Sequence, residues 1–457
     1  MKSLVIKTLL FFGIGIVFIL PLVTHPAYFS GTDLGAWGGD WGKFSRCLES
    51  GWVPCLEISK FPATYLMNSY LLDAMSAHGI TSEQSLLLIN TTFLGLPILF
   101  FITVRGIAFA LPATLIYCSA LLLSALPVFY IYSGALEVQA GVIIGLFISS
   151  VLLIYEGRVD NKNHVLNIFL VLSAVIFPLY KDTAFVVVVC SLLLVFFIMR
   201  FAYKKRSALT MRNHLHIVVS LMFSLAVLFG YNFIKYKSIA PIEYLREAAL
   251  SAPSISKSFE FLLASILSPN GGVLTFWFAA FFAAISLTKW FGMTLSRVAI
   301  LVSVTLSFAS VVSFSLWWVP FGWDSWGNRL MVPAMLASLI SIVATADLNL
   351  GALKNQNNFF SGLHKNFSLL VFRKVLSVIV VMLLLILSLH YTLVSYYAEK
   401  ATLIRASLFG GTACTHMMTS LRTDGARLGM SFWRSDDYYD CARERFLHFP
   451  TFSEQAK

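Results

Sequence analysis

Five ionisable side chains stand beside apolar runs in settings that could do chemistry. They are Asp40 in GGDWGKF, Glu137 in SGALEVQAG, Lys181 in PLYKDTAF, and Asp324 with Arg329 in FGWDSWGNRLMVP. A carboxylate within reach of a hydroxyl can take its proton as a general base. A guanidinium or ammonium facing a phosphate stabilises its charge, and Arg does so with a two-pronged fork. Ionisable groups at the rim of a hydrocarbon layer are functional suspects. Each also has a plainer reading. Asp40 suits a Gly-rich turn and Asp324 a WDSWGN turn. Arg329, with Trp317, Trp318, Trp323 and Trp326 nearby, suits an interfacial anchor. Lys181 can pair with Asp182, and Glu137 can hold a helix end.

The elements that must position these residues are set by composition. Of 457 residues 58% are hydrophobic and 12% charged, and the mean hydropathy is +0.80, which together exclude a soluble globular chain. Apolar runs long enough to cross about 30 Å of hydrocarbon recur along the chain. They predict an all-α polytopic integral membrane protein with about eleven transmembrane helices, the length of each run being the guide. The runs lie near residues 3–23, 85–104, 107–132, 138–155, 164–180, 183–202, 214–234, 273–290, 298–319, 329–346 and 375–397. The first has no small-residue cleavage signal and reads as a retained helix rather than a signal peptide.

Basic residues order these runs in space. With the N-terminus cytoplasmic, the inner connections carry Arg105, Arg158 with Lys162, the group Arg200 to Arg212, Lys289 with Arg297, and Lys354 to Lys374. Glu156, Asp160 and Asp347 fall in the same connections. An odd number of spans sends the tail from about residue 399 outside. The chain therefore divides into a membrane domain, 1–398, and a small external segment, 399–457. Cysteine placement agrees: Cys47 and Cys55 share the first external loop, Cys414 and Cys441 share the tail, and each pair is expected to form a disulfide in an oxidising compartment. Cys118 and Cys190 fall inside helices as small apolar filling.

Two external loops, about 25–84 and 235–272, exceed simple connectors, and functional residues concentrate in such segments. The first alternates Gly, Trp and Asp in its middle. Its end, Phe61 to Ala77, is amphipathic and suited to the membrane surface. In the second, Glu243 and Arg246 are spaced to pair along a short helix.

The order of these parts resembles the GT-C superfamily of membrane glycosyltransferases, the branch that includes protein mannosyltransferases and aminoarabinose transferases. The matching parts are a first helix, an external loop with Asp40 in GGDWGKF, a KFP segment at Lys60, Glu137 after the third helix, Lys181 between the fifth and sixth, SPNGG before the eighth, and WGNRLMVP opening the tenth. The resemblance implies transfer of one sugar, with inversion, from a polyprenyl-phosphate donor to an acceptor hydroxyl on a protein, an envelope glycan or a lipid. Asp40 would be the base, Arg329 and Lys181 the phosphate clamp, and Asp33, Glu137, Asp324 and Lys60 further substrate contacts. Many relatives carry two consecutive acids in the first loop, whereas Trp41 follows Asp40 here, so the base stays open between Asp40 and Asp33. The enzyme would sit in an inner membrane with its site facing out.

No GxxxxGK[ST] phosphate loop, GxGxxG fingerprint or HExxH motif occurs, and His25, His78 and His416 show no metal-ligand spacing. No tightly bound cofactor or metal site is expected, and a divalent-ion requirement is left open. The net charge of +11 belongs to topology and lipid contact rather than nucleic acid. The other functional class consistent with these features is a transporter or flippase of lipid-linked sugars; transporters often show paired broken helices in symmetric halves. Here the polar residues gather in asymmetric external loops.

Overall fold

The computed structural model of the chain describes residues 62–80, 82–124, 137–159, 163–180, 182–201, 211–242, 253–267, 272–316 and 329–348, with the isolated positions 245, 246 and 249. Eleven α-helices have described bounds: α1 (Pro62–Ser76), α2 (Ser82–Phe100), α3 (Ile107–Leu122), α4 (Glu137–Tyr155), α5 (His164–Tyr180), α6 (Asp182–Phe201), α7 (Met211–Tyr236), α8 (Ile255–Leu267), α9 (Val273–Trp290), α10 (Arg297–Ser315) and α11 (Val332–Ala344). A π-helical turn, Phe101–Arg105, extends α2, and a 3-10 turn, Arg329–Met331, leads into α11. Strands β1 (Met293–Thr294) and β2 (Asp347–Leu348) pair antiparallel, Met293 opposite Leu348.

Five of the described helices or helix segments are long and apolar enough to cross a membrane: Gln84–Arg105, Glu137–Tyr155, Ala184–Phe201, Leu215–Tyr236 and Arg297–Ser315. Nine of the expected runs fall on described helices. The runs at 3–23 and 375–397, the tail, and Cys47, Cys55, Cys414 and Cys441 lie outside the described residues. The run at 107–132 is helical as Ile107–Leu122, and 125–136 lies outside the described residues.

At the centre, α4 packs along α11. Every residue from Glu137 to Ile154 is buried, as is every residue of α11. By contrast α6 and α7 are each only 33% buried over their apolar windows, and Leu193, Phe197, Met222 and Phe223 face outward. An apolar outer surface around an apolar core is what a hydrocarbon solvent permits, since exposure there carries no penalty.

The central seam depends on Gly141 and Gly145. A Cβ on Gly141 would stand 3.0 Å from Leu336 Cβ and 3.1 Å from the Pro333 Cα, and one on Gly145 would stand 2.9 Å from Ile340 Cδ1 and 3.1 Å from the Ala337 Cα. Four residues along α4 correspond to four along α11, so the two helices run parallel. The GVIIG spacing places both glycines on one face, where missing side chains allow close backbone approach.

At one end of this seam, charges tie the elements together. The π turn closes on Gly106, whose φ of 81° is open to glycine at little penalty. It delivers Arg105 Nη2 to the Ala346 carbonyl at 2.9 Å and Asp347 Oδ1 at 3.0 Å. Arg158 pairs with Asp347 and with Glu156, and Ser296 Oγ donates to Glu156. Ser296 also caps α10, accepting from the Ala299 N–H at 3.0 Å. Arg105 lies over the Phe109 ring at 4.4 Å. Four of the five connections read from sequence as sharing one side thus contribute to one cluster.

Both long loops hold helices that dock on the bundle. The second long loop, 235–272, holds α8, which packs on α9 and α10. Within the stretch 61–77, suited by pattern to a membrane surface, Pro62–Ser76 forms α1, which docks on α2 and α5. Ala63, Leu71 and Met75 of α1 are packed against the core.

Candidate functional site

The opposite end of the bundle is built from neutral amides and one carboxylate. Glu137 opens α4 and is 4% exposed, at the helix N-terminus where the first peptide N–H groups lack intrahelical partners. Two residues on, Gln139 Nε2 donates to Asn68 Oδ1 of α1 and to Asn90 Oδ1 of α2, each at 3.2 Å. All three amides are essentially without solvent exposure. Burying an amide is unfavourable unless its hydrogen bonds are replaced, and a shared network across three helices replaces part of them.

The replacement is incomplete. Asn68 Nδ2 and Gln139 Oε1 are buried without a hydrogen-bond partner. Rotating all three amides by 180° reverses the direction of each bond and again leaves both donor and acceptor capacity unused. The site therefore retains polar valence of both kinds. On α5, which ends at this same side, the Tyr180 hydroxyl is also buried without a partner, and the Tyr180 ring meets Phe93 of α2 edge-on at 6.1 Å.

Helix direction decides which expected residues belong to this end. Because α4 and α11 are parallel, the Arg329–Met331 turn stands at the same end as Glu137. Arg329 enters only through its backbone position. Lys181 directly follows Tyr180, the last residue of α5, but itself lies outside the described residues, as do Asp33, Asp40, Lys60 and Asp324. Among the expected site residues, Glu137 is thus the one whose side chain is described, and it lies in a buried polar setting.

Asn68, Asn90 and Gln139 were not singled out from sequence. The available signal was an uncharged amide within an apolar run, as in SLLLINTTF and ALEVQAGVII. Such residues need partners in a low-dielectric interior even though they carry no charge.

The charged end offers less for chemistry. Its two guanidiniums face two carboxylates and a carbonyl, a neutral set whose members bind one another. Among the described residues no group of three or more His, Cys, Asp or Glu side chains is arranged to hold a metal ion. Cys118 is buried within α3 and Cys190 is exposed on α6, so only the first fills the core. No protein-family model, curated protein or solved structure matches this chain.

Proposed function

We propose that this protein is a membrane glycosyltransferase that moves one sugar from a polyprenyl-phosphate donor to an acceptor hydroxyl, using the amide end of the bundle. The observation that carries this reading is the common placement of three separate strings. Glu137 opens α4, the Arg329 turn opens the parallel α11, and Lys181 follows the end of α5. A phosphate-bearing lipid requires cations beside a polar chamber and hydrocarbon at its flank. Buried amides, a buried carboxylate and the apolar outer faces of α6 and α7 support such a polar end within hydrocarbon, with Arg329 and Lys181 as its cations.

In this reading Asp40, or Asp33 in its place, removes the acceptor proton while Arg329 and Lys181 stabilise the departing phosphate. Asp324 and Lys60 complete the substrate contacts. Eleven spans place the amide end outside and the charged end in the cytoplasm. In support, Arg105, Arg158, Arg200, Lys289 and Arg297 all fall at helix termini on the charged side. The external loop and tail would then hold the bridges Cys47–Cys55 and Cys414–Cys441.

The test uses purified full-length protein with a panel of short-chain polyprenyl-phosphate sugars and hydroxyl acceptors, following donor binding and sugar transfer separately. Asp40→Asn should lower turnover by at least about 100-fold with donor binding retained. Arg329→Lys keeps a charge but loses the fork, and should impair transfer strongly. Movement of intact donor across a bilayer by wild-type protein, with no transfer to any acceptor, would overturn the assignment in favour of a flippase.

A further inference from the structure

The first external loop has one described foothold on the bundle, α1, and its attachment is unequal along its length. Ala63, Leu71 and Met75 are only partly buried, while Tyr70, Asp73, Ala74 and Ser76 are exposed. Among the described side chains of α1, Asn68 is the one that is fully buried. Its Oδ1 accepts from Gln139, whose same amide nitrogen also donates to Asn90. One side-chain amide therefore joins the loop helix to α2 and α4, half a helical turn from Glu137.

We propose that Gln139 is a positioning residue that sets the loop helix α1 against the end of the bundle that carries Glu137. This rests on the glycosyl-transfer reading for its kinetic consequence, because the candidate base belongs to that loop. The anchoring itself does not depend on the reaction. A hydrogen bond between buried amides is directional, so it defines the rotation and height of α1 more narrowly than the partly buried Ala63, Leu71 and Met75 do.

The experiment compares three near-isosteric changes in the full chain reconstituted in lipid nanodiscs: Asn68→Leu, Asn90→Leu and Gln139→Leu. Hydrogen exchange of peptides covering 62–76 is read against peptides from α4 and α11. Asn68→Leu and Gln139→Leu should speed exchange in α1 about tenfold or more, the scale expected for losing a buried hydrogen bond, with α4 and α11 within about twofold. Asn90→Leu, which keeps the bond to α1, should leave α1 within about twofold of wild type. Unchanged exchange of α1 in Asn68→Leu overturns the anchor, and so does equal loosening of α1 in Asn90→Leu, which would signal general softening.

The kinetic arm then separates positioning from mere structure. With a donor that the wild type uses, Gln139→Leu should lower kcat about tenfold while donor KM stays within about twofold. Normal kcat with α1 released overturns the positioning role. If the wild type transfers no sugar from any polyprenyl-phosphate donor, the glycosyltransferase reading fails, and the exchange results still judge the anchor.

Discussion

The two ends of this helix bundle solve the same problem with different chemistry. At one end Arg105, Arg158, Glu156 and Asp347, with Ser296, join the termini of α2, α4, α10 and α11 through full charges. At the other, Asn68, Asn90 and Gln139 join α1, α2 and α4 through neutral dipoles. Ions in a partly buried cluster tolerate little rearrangement, because any lost partner leaves a charge uncompensated. Amides can rotate, exchange donor for acceptor and take a new partner. One end is thus held by ions that fix one another, and the other by amides that join α1 to α2 and α4.

This contrast can be broken most sharply at the charged end. Arg158→Met leaves Glu156 and Asp347 facing a single guanidinium, and should destabilise the protein by about 3 kcal/mol. Denaturant unfolding in a fixed detergent measures it, and a loss below about 1 kcal/mol would refute the view that this end is locked. Next comes the seam between the ends. Gly145→Val puts side-chain atoms onto Ile340 and the Ala337 backbone, and should cost about 2 kcal/mol by the same assay. A wild-type midpoint would show that α4 and α11 can separate without penalty.

Smaller effects belong to the amide end. Replacing Asn68, Asn90 and Gln139 together by Leu removes the three amides that bond one another, and should change stability by no more than about 1 kcal/mol in either direction. Single changes that strand a partner should cost more than the triple change does. If the triple variant unfolds like Arg158→Met, the two ends do not differ as described. The smallest effect is at Cys190, exposed on α6, where Cys190→Ser should shift stability by under about 0.5 kcal/mol. Thiol counting on the wild-type protein under non-reducing denaturation checks the proposed Cys47–Cys55 and Cys414–Cys441 bridges, with Cys118 and Cys190 alone expected to react.

The helices were legible because a membrane span is a length requirement written in apolar residues. The run at 164–180 coincides with α5, and that at 138–155 differs from α4 by its first residue, Glu137. The short helix α8 was not legible, since thirteen residues inside an external loop carry no spanning signal. The charged cluster was half legible. Charge bias put Arg105, Glu156, Arg158 and Asp347 on one side, but the Arg105–Asp347 contact joins residues 242 apart and needs the π turn to form. The glycine pair stood in the sequence as GVIIG, yet nothing local says that α11 is its partner. Of the candidate site, Glu137 was read as an acid at a helix end and found there. The amides around it escaped notice because neutral side chains leave no mark in a charge pattern. Asp33, Asp40, Lys60, Lys181 and Asp324 lie outside the described residues.

The burial of α4 on all sides has a consequence for the order of synthesis. About 175 residues separate the end of α4 from the start of α11, which at roughly 5–20 residues per second is about 10–35 s of elongation. During that interval the glycine face of α4 has no α11 to meet, and a nascent helix must leave it against lipid or an insertion factor. A ribosome-arrested chain ending before residue 329 and carrying Gly145→Cys is therefore predicted to react with a lipid-soluble thiol probe, and a released full-length chain with the same substitution to resist it. Equal protection in both would mean that another segment shelters this face until its late partner arrives.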